Sequence, residues 1–255
     1  MKTFRNIIRA ACAVAVVAAV IPSGASADLG TSVYPDLRVQ GPSNPRFWQA
    51  DLTGSGQDHH YLLISTRIWN AGAGAFELDR TPQPSLISTL TQRIYEQPAG
   101  FHDEPIGSVA LDGGAFKAPD IARVEVWGAT AFRRAQRRGF TRGAPLYSQY
   151  QSYCVADGEQ VDPNATPAPA YVCSAVRQGI SPGWRHVEDV TDTDEWIDFG
   201  TSPLPDGEYV VRAIVDPNDT YLESPGHADA SREGEVPNSG YAYFRVIGGQ
   251  LAGVE

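Results

Sequence analysis

Residues 122–127 read Ala-Arg-Val-Glu-Val-Trp (ARVEVW), apolar and charged side chains in strict alternation. A period of two belongs to a strand with one face on a core, and here Val124 and Val126 oppose Arg123 and Glu125. Three further stretches are rich in β-branched and aromatic residues: Tyr61 to Trp69 (YLLISTRIW), Tyr209 to Val215 (YVVRAIV) and Tyr241 to Ile247 (YAYFRVI). Gly, Pro, Asn or Asp bound each of them, as in Asn70-Ala71-Gly72, Asp112-Gly113-Gly114, Ser181-Pro182-Gly183 and Pro205-Asp206-Gly207. Helical signals are confined to two short stretches, Phe132 to Arg138 and Pro84 to Ile94. The pattern predicts an all-β chain, a two-sheet antiparallel β-sandwich with long decorated loops, whose charged strand faces are wet.

The chain has 255 residues, 42% hydrophobic and 20% charged, which excludes a disordered polyelectrolyte. Its formal charge of −10 argues against nucleic acid or an anionic membrane as the main partner. Lys2, Arg5 and Arg9 precede an apolar run to Ile21 and then Gly24-Ala25-Ser26-Ala27, so residues 1–27 read as a secretory signal peptide. Its loss takes away three cations and no anion, moving the charge from −10 to −13; a retained anchor is the alternative. Residues 28–255 are then one secreted β-sandwich domain with no membrane contact after cleavage.

Cleavage also removes Cys12 and leaves Cys154 and Cys173. An even count in an oxidising compartment predicts one disulfide, contributing roughly 3 kcal/mol by closing the loop; two unpaired structural thiols are the alternative. A Cys nucleophile or zinc site lacks partners.

The order of segments resembles the lysyl oxidase family, secreted copper amine oxidases with a quinone made from a Lys and a Tyr. Pro35-Asp36-Leu37 resembles the family's opening PDL, and Leu63 to Leu78 (LISTRIWNAGAGAFEL) its core strand and Asn-x-Gly turn. Ser152-Tyr153-Cys154 is similar to SFC, and Gln178 to Gly183 (QGISPG) to QGLSPG. Glu195 to Asp198 (EWID), Asp206 to Val215 (DGEYVVRAIV), Asp216-Pro217 and Leu222-Glu223-Ser224 follow in family order. The resemblance implies the fold; activity must be argued from the site.

The family's chemistry needs an H-x-H-x-H cluster, since alternate imidazoles on one strand face can hold Cu(II). Matching the segment from Asp120 to Val126 puts Asp112, Gly114 and Phe116 at the ligand positions, and Asp103 to Lys117 contains no histidine. Tyr150 stands where the quinone Lys belongs and Glu188 where its Tyr belongs. Neither copper nor a peptidyl quinone is therefore expected, and the chain reads as a non-catalytic relative, an extracellular binding or structural module. The alternative is a working copper-dependent oxidase of protein lysine or other primary amines that uses unrecognised ligands.

Five histidines are present, His59, His60, His102, His186 and His227. His59-His60 read as a solvated turn and His186, beside Arg185, Glu188, Asp189, Asp192, Asp194 and Glu195, as a surface ion pair. The resemblance implies a calcium site from Asp36, the Leu37 carbonyl and Glu223, with Asn238 beyond the inserted stretch Pro225 to Val236 or, as a substitute, Asp229 within it. Without calcium, Asp36 would cap a turn and Glu223 be solvated. Arg133, Arg134, Arg137, Arg138 and Arg142 form a basic run, either a solvated face paired with carboxylates or a grip on an acidic partner or cell-wall polyphosphate. Tyr147, Tyr150, Tyr153 and Trp184 are either core or an aromatic platform for sugar or peptide. The partner class is thus an extracellular protein, peptide or cell-wall ligand. No nucleophile-elbow or triad order is present.

Overall fold

The computed structural model describes residues 31–52, 54–81, 87–112, 114–189, 196–224 and 238–254. The signal peptide, Cys12, Asp192, Asp194, Glu195, His227 and Asp229 lie outside these residues. The elements, in order, are β1 (Thr31–Val33), β2 (Leu37–Ala50), β3 (His59–Asn70), β4 (Phe76–Thr81), β5 (Ile87–Gln97), β6 (Phe101–Asp112), β7 (Ala115–Phe116) and β8 (Ala118–Gly128). They continue as α1 (Ala129–Gln136), β9 (Tyr147–Tyr153), β10 (Glu159–Gln160), β11 (Arg177–Ile180), β12 (Trp184–Glu188), β13 (Trp196–Asp198), β14 (Gly207–Val215), β15 (Ser239–Ile247) and β16 (Gln250–Val254).

The fold is all-β, built of antiparallel sheets that pack on one another. In the central sheet β3 pairs with β2 along one edge and with β13 and then β12 along the other, β10 adding to β12. A second sheet runs β16-β15-β14-β8-β9. Alternation sets the contact between them: Leu62, Ile64 and Ile197 meet Val124, Val126, Val211 and Phe244 in one core cluster. A third sheet, β11-β4-β5-β6-β7 with β1 on β5, extends the sandwich and closes the other large cluster around Leu37, Ile68, Phe76, Leu90, Phe116 and Val215.

The first two sheets touch backbone to backbone where β2 crosses β15. A Cβ on Gly41 would lie 2.6 Å from the Tyr241 carbonyl oxygen, and one on Gly240 2.4 Å from the Gly41 nitrogen. Only glycine fits a crossing this close.

Two expectations are corrected. The Pro84–Ile94 stretch is a strand from Ile87 onward: Ser88, Leu90, Gln92 and Ile94 are buried at period two, and pairing with β4 and β6 on both sides overrides a weak local helical signal. The charged face of ARVEVW is not wet. Trp127 and Glu125 are buried; α1 lays Ala129, Phe132 and Ala135 over Trp127 and Val210. Glu125 is compensated there by the Trp127 indole N–H at 2.9 Å and by Arg123 at 3.1 Å. The helix predicted at Phe132 to Arg138 is present, shifted toward the N-terminus.

The disulfide joins Cys154 to Cys173, with their Cα atoms 5.5 Å apart. Among the described residues no helix is long and apolar enough to cross a membrane.

Candidate functional site

Asn70, at the end of β3, organises one end of the sandwich. Fully buried, it accepts from the N–H groups of Asp36 and Gly72 and donates to the carbonyls of Gly74 and Ile180, at 2.8 to 3.1 Å. The turn packs against the start of β2, since a Cβ on Gly72 would lie 2.4 Å from the Asp36 nitrogen. This fixes Asp36 and Leu37 beside the connection that follows β14. There Asp216 accepts from the N–H groups of Thr220 and Tyr221 at 2.8 and 3.0 Å, turning the chain so that Ser224 N–H reaches the Pro35 carbonyl. Leu37 N–H then donates to Glu223 Oε2 at 2.9 Å.

Of the residues that the resemblance assigns to calcium, Leu37 and Glu223 meet, through a contact that the sequence did not disclose: Leu37 gives its N–H to Glu223, whereas the resemblance assigned only its carbonyl. Asp36, Glu223 and Asn238 are each 5% exposed. Glu223 is therefore not solvated. Its Oε1 is buried with no hydrogen-bond partner among the described residues. Burial, reinforced by Asp216, Asp36 and Asp219, pushes Glu223 up to about 9 against the opposing Leu37 bond. Burial likewise pushes Asp216 up to about 6. Arg38 supplies a cation, its Nη2 lying 2.8 Å from Asp36 Oδ2. Among the described residues no three His, Cys, Asp or Glu side chains gather into a metal cage, so a cation here would lean on carbonyl and amide oxygens as well.

The positions that the resemblance assigned to a redox centre lie in different surroundings. Phe116 is 0% exposed in the core, its carbonyl bonded by the Gln178 amide. Gly114 is an exposed turn residue at φ +95, and the Asp112 backbone pairs with Ala115. Tyr150 is 44% exposed, donating to Asn218 at 3.1 Å with Arg123 over its ring. Glu188 accepts from His186 Nε2 at 2.8 Å. The Ala156 N–H donates to His186 Nδ1, so that Nδ1 accepts and Nε2 is the nitrogen that donates to Glu188. At 6% exposure beside Tyr153 this imidazole is a buried hydrogen-bonded group, which corrects the surface ion pair. His59 and His60 are likewise half-buried members of β3: His59 pairs with Asp198 at 2.8 Å and His60 lines a cleft with Trp48 and Phe199. His102 keeps Glu96 at 2.8 Å.

No family model and no curated protein matches this chain.

The aromatic platform is dispersed: Tyr153 and Trp184 are core, Tyr147 packs on Phe199 at 4.7 Å, and Tyr150 faces the other way. The basic run behaves otherwise. Arg133, Arg134, Arg137, Arg138 and Arg142 are exposed, and among the described residues none has a carboxylate within ion-pair distance. Arg133 lies over the Tyr243 ring at 5.2 Å, in a cleft of about 480 Å³ shared with Glu208 and Arg245.

A second basic face went unread in the sequence. On the outer side of the central sheet the registers align Arg38, Trp69 and Arg185 in one rung and Gln40, Arg67 and Val187 in the next. With Val161, four of these, Gln40, Arg67, Trp69 and Arg185, line a cleft of about 380 Å³. The signal was available, since Arg67 and Trp69 are the alternate positions of YLLISTRIW that do not enter the core.

Proposed function

We propose that this chain is an exported, non-catalytic binding module on a lysyl oxidase-like sandwich, with calcium tying its first long strand to the connection after β14. The observation that carries the non-catalytic reading is the fate of the redox positions. A phenyl ring sealed in the core at 116 and a glycine at 114 offer no donor to copper, Tyr150 is engaged with Asn218 on an exposed face, and Glu188 is engaged with His186. These residues do not fit copper or a Lys-Tyr quinone, and no step is derived through either. The leader-like residues 1–27 and the disulfide accord with an oxidising compartment.

Calcium fits better. The buried Glu223 Oε1, without a hydrogen-bond partner among the described residues and with other carboxylates near it, marks a place suited to a hard cation. Asp36, Glu223, Asn238 and the Leu37 carbonyl would hold it, and the ion would supply the charge that lets Glu223 stay ionised.

Protein produced with copper, then analysed for metal content and by a redox-cycling quinone stain, tests the reading. The expected result is less than stoichiometric copper and no stain. One bound copper per chain with a positive stain overturns it in favour of an amine oxidase.

A further inference from the structure

We propose that the cleft over Trp69 is a binding site for an acidic sugar chain, with Arg67 holding a carboxylate of the ligand and Trp69 carrying a sugar ring. This deepens the binding-module reading and rests on it.

Among the arginines of this face, charge accounting singles out Arg67. Arg38 is matched by Asp36 at 2.8 Å and Arg185 by Glu159, but among the described residues Arg67 has no carboxylate. Its Nη1 donates to Ser43 Oγ at 2.7 Å, while its Nε is buried with no hydrogen-bond partner among the described residues. An uncompensated, half-buried guanidinium one rung away from two other arginines, Arg38 and Arg185, is costly unless an anion completes it. That it persists in a chain of net charge −10 is the more telling. A guanidinium fork suits a carboxylate in two-point contact.

The rest of the cleft describes what carries that carboxylate. Trp69 offers an indole beside Val161, and Gln40 and Arg185 offer polar groups at the rim, Arg185 Nη1 already donating to Gln40 at 3.2 Å. Val161 is held in place because its own N–H and that of Asp162 donate to the Gly183 carbonyl, inside the loop closed by Cys154–Cys173. An adjoining cleft of about 540 Å³ shares Gln40 and continues along Pro42, Ser43, Asn44 and Tyr241, so the surface accommodates several units in a row. An extended peptide usually docks by adding backbone hydrogen bonds at a sheet edge. Here the cleft lies on the face over β3, a strand already paired on both sides, so recognition falls to rings, amides and charge. A stacked sugar with a carboxylate meets that demand.

Titration calorimetry with purified protein decides. The probes are a galacturonate oligomer, its methyl-esterified neutral form and a glutamate oligopeptide. The expected result is binding of galacturonate that weakens with added salt, at least tenfold weaker for the ester and the peptide. Arg67→Gln and Trp69→Ala should each weaken galacturonate at least tenfold, and Arg134→Gln on α1 should stay within twofold. Absence of galacturonate binding, or binding indifferent to Arg67→Gln, overturns the proposal, and so does equal, Arg67-dependent binding of the peptide. Thermal melts verify folding; if Trp69→Ala does not fold, the outward-facing Arg67→Gln decides alone. A failed titration with a negative copper and quinone assay removes the sugar site and leaves the module reading intact, whereas a positive copper and quinone assay removes the module reading itself.

Discussion

Leu37 and Glu223, 186 positions apart in sequence, are joined by one hydrogen bond of 2.9 Å from a main-chain N–H to a buried carboxylate. That bond ties the start of the central sheet to the far connection of the second sheet, and it leaves the other carboxylate oxygen without a hydrogen-bond partner among the described residues.

Calcium should therefore stabilise the fold. At a hundredfold excess over its Kd an ion that binds only the folded state contributes about 2.7 kcal/mol, a rise in Tm of roughly 5–10 °C for a chain of this size. Melting curves with calcium and with chelator should differ by that margin, and Asp36→Ala should abolish the difference. A melt unchanged by chelator refutes the site.

Asn70→Ala should cost about 3–5 kcal/mol, since three buried hydrogen bonds and one part-buried one are lost and the Asp36 and Gly72 N–H groups are left without this acceptor. Urea denaturation measures it. A loss below about 1 kcal/mol would mean that the turn is held by other contacts.

Gly240→Ala should destabilise by at least about 2 kcal/mol, because its Cβ would meet the Gly41 backbone at 2.4 Å and neither strand can retreat without opening the sheets. Gly253→Ala on β16, where a Cβ meets nothing within 4 Å, should change stability by no more than about 0.5 kcal/mol. Equal effects in the two variants would deny the close crossing.

Asp103 supplies a pH test. Hydrogen bonding from the Arg93 guanidinium, aided by its charge, holds this carboxylate below its ordinary range despite some burial. A depressed acid contributes stability that is complete above its unfolded pKa, about 4, and is lost as pH falls below that value toward the folded one. Urea midpoints of wild type and Asp103→Asn should differ at neutral pH and converge on acidification below about pH 4. A gap that stays constant excludes the linkage.

Much of the candidate site was legible one residue at a time. Asp36 and Glu223 were named from their motifs and lie together, and Cys154 and Cys173 are paired. What escaped were relations across strands. The Pro84–Ile94 stretch read as helical because its buried face includes Ser88 and Gln92, and the place of Gln92 in a strand depends on its hydrogen bonds to Leu222, far along the chain. His186 read as a surface group because five carboxylates near it in sequence hid the one hydrogen bond, from Ala156, that fixes its tautomer.

Alternation along YLLISTRIW and ARVEVW determined by itself that the chain forms strands with an inward and an outward face, because side-chain direction in a strand is a local property of the backbone. Which outward face is wet was decided only by the tertiary structure. Helix α1 packs over Trp127 on the face that also bears the buried Glu125, and among the described residues no helix covers the cleft that bears Arg67 and Trp69. The physical reason is that a residue's burial depends on what packs over it, and a charge is satisfied or left waiting by neighbours that sequence spacing does not bring near.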